Sequence, residues 1–497
     1  MGAPFLEIRN CSINFGGVKA LQNVDFSIEA GQAYCLMGEN GSGKSTLIKI
    51  ISGVYTATSG EMILDGKHYT NITPKQAIEA GVQVIYQDFS VFPNLTVAEN
   101  IAISGIMSGK KKTVDRKKLR EVAAEALARI NVDLPLDKRV EELPVAGKQL
   151  VAIARGIAQD AKLIIMDEPT TALTHKEILA LYEIIDNLKK KGIALIFVSH
   201  KLEEVMQISE RIAILRNGQK VLDDSIENFD VNSVAYYMTG REVPDVPYEL
   251  VEVPEGTAPI LELEGLTMKD KFEDITLSLY PKEVLGITGQ LGCGRTELAQ
   301  ALFGIGEYTG TVKLNGEVVE IKTVQDALRL KIGYVPEDRL SEGLFLTRSL
   351  SDNLAAASID DLADGIRLNY KKVEDTGRQW VEDLKIVIGD ILDPASSLSG
   401  GNQQRIVLAK WLATNPRLLI LNCPTVGVDV GSKSQIHEIV KDLARKGIGV
   451  IVISDDIGEV MSLCSRVLVM KKGRIVRQTN RTEMTVSQLE DYLTKEE

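Results

Sequence analysis

The strongest constraint on this chain is an internal repeat. LEIRN at Leu6–Asn10 returns as LELEG at Leu261–Gly265, and GENGSGKST at Gly38–Thr46 returns as GQLGCGRTE at Gly289–Glu297. LIIMDEPTTALT at Leu163–Thr174 returns as LLILNCPTVGVD at Leu418–Asp429. Position 6 maps to 261, 38 to 289 and 163 to 418, so the offsets are 255, 251 and 255 residues. Spacing held that closely implies two homologous domains in tandem. Between the copies, Arg241–Pro259 carries Pro244, Pro247, Pro254 and Pro259 among acidic residues, a composition that stops regular structure and gives a semi-rigid spacer. The expected organisation is a first domain over residues 1–243, a linker over 244–259 with the boundary near 250, and a second domain over 260–497. Apolar runs (Ala33–Met37, Leu163–Met166, Ala194–Val198) read as strands alternating with helical patterns such as the one from Lys44. That alternation predicts an α/β fold with a mostly parallel sheet core in each copy. The charged, helix-forming run Val114–Ile130 predicts a separate helical subdomain.

A chain of 497 residues has room for more than one core. Its net charge of −12 argues against a broad nucleic-acid footprint. The basic runs Lys110–Lys112 and Arg116–Lys118 read as solvated faces of the helical subdomain. No apolar run approaches the ~18–20 residues needed to span a bilayer. The N-terminus lacks the basic-then-apolar pattern of a signal peptide, and Leu6 stands where myristoylation asks for Ser or Thr. Five scattered cysteines without a CxxC pair read as reduced thiols in a cytoplasm.

The first copy carries a set of phosphate-handling residues. Gly38-Glu39-Asn40-Gly41-Ser42-Gly43-Lys44-Ser45-Thr46 matches GxxxxGK[ST], follows an apolar strand and opens a helical pattern. Its glycines permit positive φ and close approach of backbone N–H groups to phosphate, and the helix N-terminus adds partial positive charge. Lys44 can reach the β- and γ-phosphates, and Ser45 can ligate Mg²⁺. Asp167 and Glu168 end an apolar strand, where an acidic pair is costly unless it serves a cation or a water. Asp167 is expected to hold Mg²⁺ through water and Glu168 to polarise the attacking water.

The order P-loop, Gln87 after Val82–Tyr86, a signature near residue 143, DEPT, and Ser199-His200 resembles the ABC-transporter ATPases, as does LSGGNQQR at Leu398–Arg405. The resemblance covers essentially the whole chain. It implies ATP and Mg²⁺ as cofactors. Gln87 would be a metal ligand and γ-phosphate sensor, and His200 would contact the γ-phosphate. Thr171–Thr174 would be the loop that reaches the opposite site, and Phe15 would stack on adenine.

The second copy is eroded at chosen places. Its P-loop keeps Gly289, Gly294 and Thr296 but has Arg295 for lysine, which retains charge without the compact ammonium. Nucleotide binding there remains an expectation. The acidic pair has become Asn422-Cys423, the Gln position reads Glu337, and the His position reads Asp455. The signatures show the opposite pattern: Ser399-Gly400-Gly401-Asn402 is intact, whereas the first copy has Pro144-Val145-Ala146. A signature serine is expected to cap its helix and donate to the γ-phosphate, and its glycines to let backbone approach phosphate. By the resemblance, such ATPases work head to tail, each P-loop facing the other copy's signature. All the defects then fall in one composite site, leaving one competent site and one degenerate site in an internal pseudo-dimer.

GRTEL at Gly294–Leu298, PEDR at Pro336–Arg339 and PTVGVDVGSK at Pro424–Lys433 are similar to the fused ATPase subunits of bacterial monosaccharide importers, whose relatives carry autoinducer-2 or nucleosides. That family implies two membrane permease subunits, an extracytoplasmic binding protein, and a peripheral position on the cytoplasmic face of the cell membrane, with no nucleic acid partner. Phe89, Val91, Phe92 and Leu95 would line a groove for one permease, and Pro336–Leu350 would serve the other. The rival readings are a soluble tandem ATPase acting on ribosomes or DNA, which would be expected to keep both sites and a long charged linker, and a regulatory ATP-binding protein.

Overall fold

The computed structural model describes residues 4–86, 90–108, 115–170, 173, 175–199, 202–242, 248, 256–290, 292–365 and 367–494. It divides into two compact units, Met1–Val243 and Pro244–Glu497.

The first unit opens with the antiparallel strands β1 (Leu6–Phe15) and β2 (Val18–Ile28), then β3 (Ala33–Met37) and helix α1 (Lys44–Ile51). Strands β4 (Ser59–Leu64) and β5 (Lys67–Tyr69), helix α2 (Pro74–Glu79) and strand β6 (Val82–Ile85) follow. A helical insertion comprises α3 (Val97–Ser108), α4 (Arg116–Arg129) and α5 (Val145–Ala158). The core then resumes with β7 (Leu163–Asp167), α6 (His175–Lys190), β8 (Ala194–Val198), α7 (Leu202–Ile208), β9 (Arg211–Arg216), β10 (Gln219–Ser225) and α8 (Val231–Thr239). One sheet is antiparallel in the order β2-β1-β4-β5. The other runs β10-β9-β3-β8-β7-β6 and is parallel except for β10. The burial patterns follow from these roles. Along β1, Leu6 and Ile8 are buried while Arg9 and Asn10 are exposed, as one solvated face requires. Strands β3 and β8 are buried at every position, and Tyr34, Leu36, Ile196 and Val198 share one core with α1 and the antiparallel sheet.

The second unit repeats the plan. It has β11 (Leu261–Met268), β12 (Phe272–Leu279), β13 (Val284–Gly289), α9 (Arg295–Leu302), β14 (Thr309–Leu314), β15 (Glu317–Val319), α10 (Val324–Arg329) and β16 (Ile332–Val335). A single π-helical turn, Arg339–Gly343, precedes α11 (Leu350–Ala355), the short pair β17 (Ala363–Asp364) and β18 (Arg367–Leu368), α12 (Tyr370–Asp383) and α13 (Gly400–Leu412). The rest is β19 (Leu418–Asn422), α14 (Val430–Arg445), β20 (Gly449–Ile453), α15 (Ile457–Leu463), β21 (Arg466–Lys471), β22 (Arg474–Asn480) and α16 (Val486–Thr494). Its large sheet, β16-β19-β20-β13-β21-β22, has the same neighbour relations as the first. Thr73 and Thr323 close capping boxes at the same place in the two repeats, before α2 and α10. Tyr248 is buried in the second unit, its N–H donating to the Ser462 carbonyl at 2.9 Å and its hydroxyl to the Lys282 carbonyl at 2.8 Å.

Candidate active site

The first P-loop runs from the buried end of β3 into α1. Gly38 (φ +146°) and Gly43 (φ +109°) are required there. A Cβ on Gly38 would collide with the Leu215 carbonyl, and one on Gly43 would lie 2.8 Å from the Ala20 carbonyl. Gly41 faces open space, and Ser45 is exposed at the start of α1, where unpaired helix N–H groups gather. Lys44 folds back over the loop, its Nζ donating to the carbonyls of Gly38 (2.7 Å) and Glu39 (2.9 Å). Glu39, Asn40, Ser42 and Thr46 belong to the same loop and first turn.

Asp167 is the last residue of β7, and Glu168 follows in the left-handed region at φ +49°. The Glu168 N–H donates to the Val198 carbonyl at 2.8 Å, so the turn is fixed by the neighbouring strand. Burial, and then the adjacent Glu168, push the Asp167 carboxyl up, while Lys44 pulls it down. A cation beside Asp167 would relieve both destabilising influences, so the donor set fits Mg²⁺. Gln87, His200, Thr171, Ala172 and Thr174 lie outside the described residues, as does Phe89. Phe15 is exposed at the end of β1, its ring edge-on to Tyr55 at 5.1 Å between centroids. Tyr55 has no signal in the sequence as Phe15's neighbour.

The second unit places other chemistry on the same backbone. Cys423 follows β19 at φ +49°, and its N–H donates to the Ile453 carbonyl at 2.7 Å, the same bond as at Glu168. Burial, then Asp455 and Glu337, push the Cys423 thiol up to about 12, so it is neutral at physiological pH. Asn422 is fully buried and donates weakly to Thr296 Oγ1 at 3.4 Å, and its own carbonyl oxygen meets no donor in hydrogen-bond geometry among the described residues. Arg295 is buried, donates to the Gly289 carbonyl, and sits 3.6 Å from the Asp455 carboxylate. Gly294 takes φ +96° ahead of it, as Gly43 takes +109° before Lys44.

The two signatures also differ in their packing. Ser399 sits at the N-cap of α13 without capping it; its Oγ instead accepts from Asn402 Nδ2 at 3.2 Å. Gly401 is needed for packing: a Cβ there would overlap the Ser432 side chain of α14. One on Gly400 would lie 2.8 Å from Arg339 and 2.9 Å from the Gly427 carbonyl. Both glycines therefore meet atoms of their own unit. In the first unit Pro144 is the N-cap of α5, and Ala146 and Leu150 replace Gly401 and Arg405. Arg405 bridges to the Lys385 carbonyl and Gln435. A cavity of about 340 Å³ opens where α5 faces α6, lined by Ala146, Leu150 and Gln149, whose buried amide has no hydrogen-bond partner among the described residues.

Each unit also presents an exposed phenylalanine on a braced loop. Asn100, fully buried, accepts from the Phe92 N–H (2.8 Å) and donates to the Phe92 carbonyl (2.9 Å); Phe92 is 45% exposed. Asn353 does the same for Phe345 at 2.8 and 3.0 Å, and Phe345 is 62% exposed. The signal was available, since both asparagines sit eight residues after their phenylalanine.

The ABC transporter family model matches residues 21–171 and 272–426. The chain is 38% identical over 97% of its length to a ribose import ATP-binding protein of Escherichia coli O157:H7, covering 95% of that protein. It is 37% identical over 99% of its length to a protein of Halalkalibacterium halodurans named for ribose/galactose/methyl galactoside import ATP binding, covering 95% of it. A ribose import ATP-binding protein of Oceanobacillus iheyensis is 36% identical, with 98% of each chain covered.

Proposed function

This chain belongs to the ABC transporter family, and we propose that it is the ATP-hydrolysing subunit of an importer for a monosaccharide or a related small polar solute. The solute class rests on the sugar-import names of its full-length relatives. The observation that carries the mechanism is one backbone turn with two contents: Asp167-Glu168 after β7, and Asn422-Cys423 after β19.

In this reading the first P-loop holds ATP. Lys44 binds the β- and γ-phosphates, the N–H groups opening α1 orient them, and Phe15 packs on the adenine. Ser45, Gln87 and, through water, Asp167 would hold Mg²⁺, which supplies charge neutralisation on the phosphate oxygens. Glu168 takes up the proton of the attacking water, and His200 fixes that water against the γ-phosphate. The signature Ser399-Gly400-Gly401-Asn402 of the second domain completes this site. The second P-loop, Gly289 to Thr296, is a nucleotide site without hydrolysis, because neither the neutral Cys423 nor Asn422 can do the work of the acidic pair. The domain limits we adopt are 1–243, a linker over 244–259, and 260–497.

Two permease subunits, with an extracytoplasmic binding protein beyond them, would be the partners at the cytoplasmic face of the membrane. Among the described residues no helix is long and apolar enough to cross a membrane. Phe92 and Phe345 are suited to seat a permease helix each, since an exposed ring on a braced loop offers apolar area at little entropic cost. Cysteine crosslinking from position 92 should capture the permease; purely intramolecular products would count against the surface. In proteoliposomes holding the assembled importer, Glu168→Gln should bind ATP as the wild type does and lose most hydrolysis and solute uptake. Turnover near wild type in that variant sinks the proposal.

A further inference from the structure

We propose that Arg339 is a positioning residue: it clamps the signature end of α13 to the loop after β19 and thereby sets how Ser399 is presented. This rests on the reading above that Ser399 serves the first P-loop. Arg339 opens the π-helical turn that follows β16, a local geometry often found at functional sites. Its Nη1 donates to the Val426 carbonyl at 2.6 Å and its Nη2 to the Gly427 carbonyl at 3.1 Å. Its Nε points at Gln403 Oε1 on α13, 3.5 Å away. One rigid fork thus spans two successive carbonyls of one loop and a side chain of the signature helix. Two glycines make room for it. Gly400 has no Cβ to strike Nη2, and Gly427 sits at φ +67° with its missing Cβ 3.2 Å from Nη1.

The other end of the same turn is tied to the same helix. Lys410 Nζ donates to the Gly343 carbonyl at 2.7 Å, and a Cβ on Gly343 would lie 3.0 Å from Val407. Residues 339–343 therefore strap α13 from Gly400 to Lys410, and they lead directly into the braced Phe345 loop.

The repeat separates what is shared from what is special. The far tie recurs in the first unit, where Arg155 Nη1 donates to the Ser90 carbonyl at 2.8 Å. The near tie has no sequence counterpart. The first copy passes from Ile85 at the end of β6 to Phe92, whereas the second passes from Val335 at the end of β16 to Phe345; the extra length includes Arg339. The arginine accompanies the intact signature, and the copy with Pro144-Val145-Ala146 lacks it. Its acceptors are neutral carbonyl groups, so fork geometry and charge can be separated by experiment.

The test uses the full chain, alone and in the assembled importer. In the chain alone, Arg339→Ala should accelerate hydrogen exchange at the N–H groups of Gln403, Val426 and Val428 by about ten-fold or more while global unfolding stays cooperative. In the importer it should lower kcat roughly ten-fold, with affinity for a fluorescent ATP analogue at the first P-loop within about two-fold of wild type. Arg339→Lys keeps the charge without the fork and should recover less than half of the loss. Combined with Ser399→Ala, the effects should be clearly less than additive, because both act through one hydroxyl. Unchanged exchange, or strictly additive effects, overturns the proposal. Accelerated exchange beside a silent Ser399→Ala overturns the role given to the signature, and with it the catalytic part of the clamp.

Discussion

The ends of β7 and β19 differ in two side chains and in almost nothing else. Both strands hand the chain to a left-handed residue, and both turns are held by an N–H bond to the adjacent strand. Those bonds are made by main chain, so they survive any side chain that tolerates the backbone. The side chains decide the chemistry: two carboxylates in one unit, a neutral amide and a neutral thiol in the other. The framework holds either pair of side chains, because the turn is fixed by main-chain bonds and not by these two residues.

The largest expected effect comes from moving that difference. Writing Asn and Cys at 167 and 168 should reduce ATP hydrolysis by about 10²–10⁴-fold, the range for losing a general base. Writing Asp and Glu at 422 and 423 should add no measurable turnover, since Arg295 and Asp455 remain. Single-turnover hydrolysis by both double variants checks this, and activity gained in the second unit would break the comparison.

The signatures give the next effect. Ser399→Ala should cost roughly 1.5–3 kcal/mol of transition-state stabilisation if it donates to a phosphate oxygen. Pro144→Ser should leave steady-state ATPase activity unchanged.

A third contrast is the residue tying each signature helix to its strap, Lys410 in one unit and Arg155 in the other. Burial pulls Lys410 down to about 8 from a lysine's ordinary 10.5. Between those values the unfolded chain binds the proton and the folded chain does not, so stability should rise with pH by up to about 3 kcal/mol across that window. Denaturant titrations from pH 7.5 to 10.5 should show the slope in the wild type and lose that component in Lys410→Met. Arg155, which stays charged, adds none.

The smallest effect concerns the cavity beside α5. Gln149→Leu removes a buried amide that has no hydrogen-bond partner among the described residues and should stabilise the first unit by about 1 kcal/mol. Thermal unfolding reads it, and destabilisation would mean that the amide is satisfied in solution.

Much of the fold, and the residues proposed for the first site, can be read in the chain itself. The repeat, the buried strands, the P-loop and the acidic pair are runs of neighbours in the chain, and their spacing reports the geometry directly. What the sequence by itself determined is therefore the tandem α/β plan and the asymmetry between Asp167-Glu168 and Asn422-Cys423. Only the tertiary structure decided which distant groups meet. It set Tyr55 against Phe15, fastened Arg339 to carbonyls 87 and 88 residues away, and brought Arg295 to 3.6 Å from the Asp455 carboxylate. It also gave Gly400 and Gly401 a packing role beside Arg339 and Ser432, where their motif had suggested access to phosphate. The physical reason is that a local pattern fixes backbone path and polarity, whereas the partner of a side chain depends on the order in which strands and helices are stacked. No single stretch of the chain carries that order.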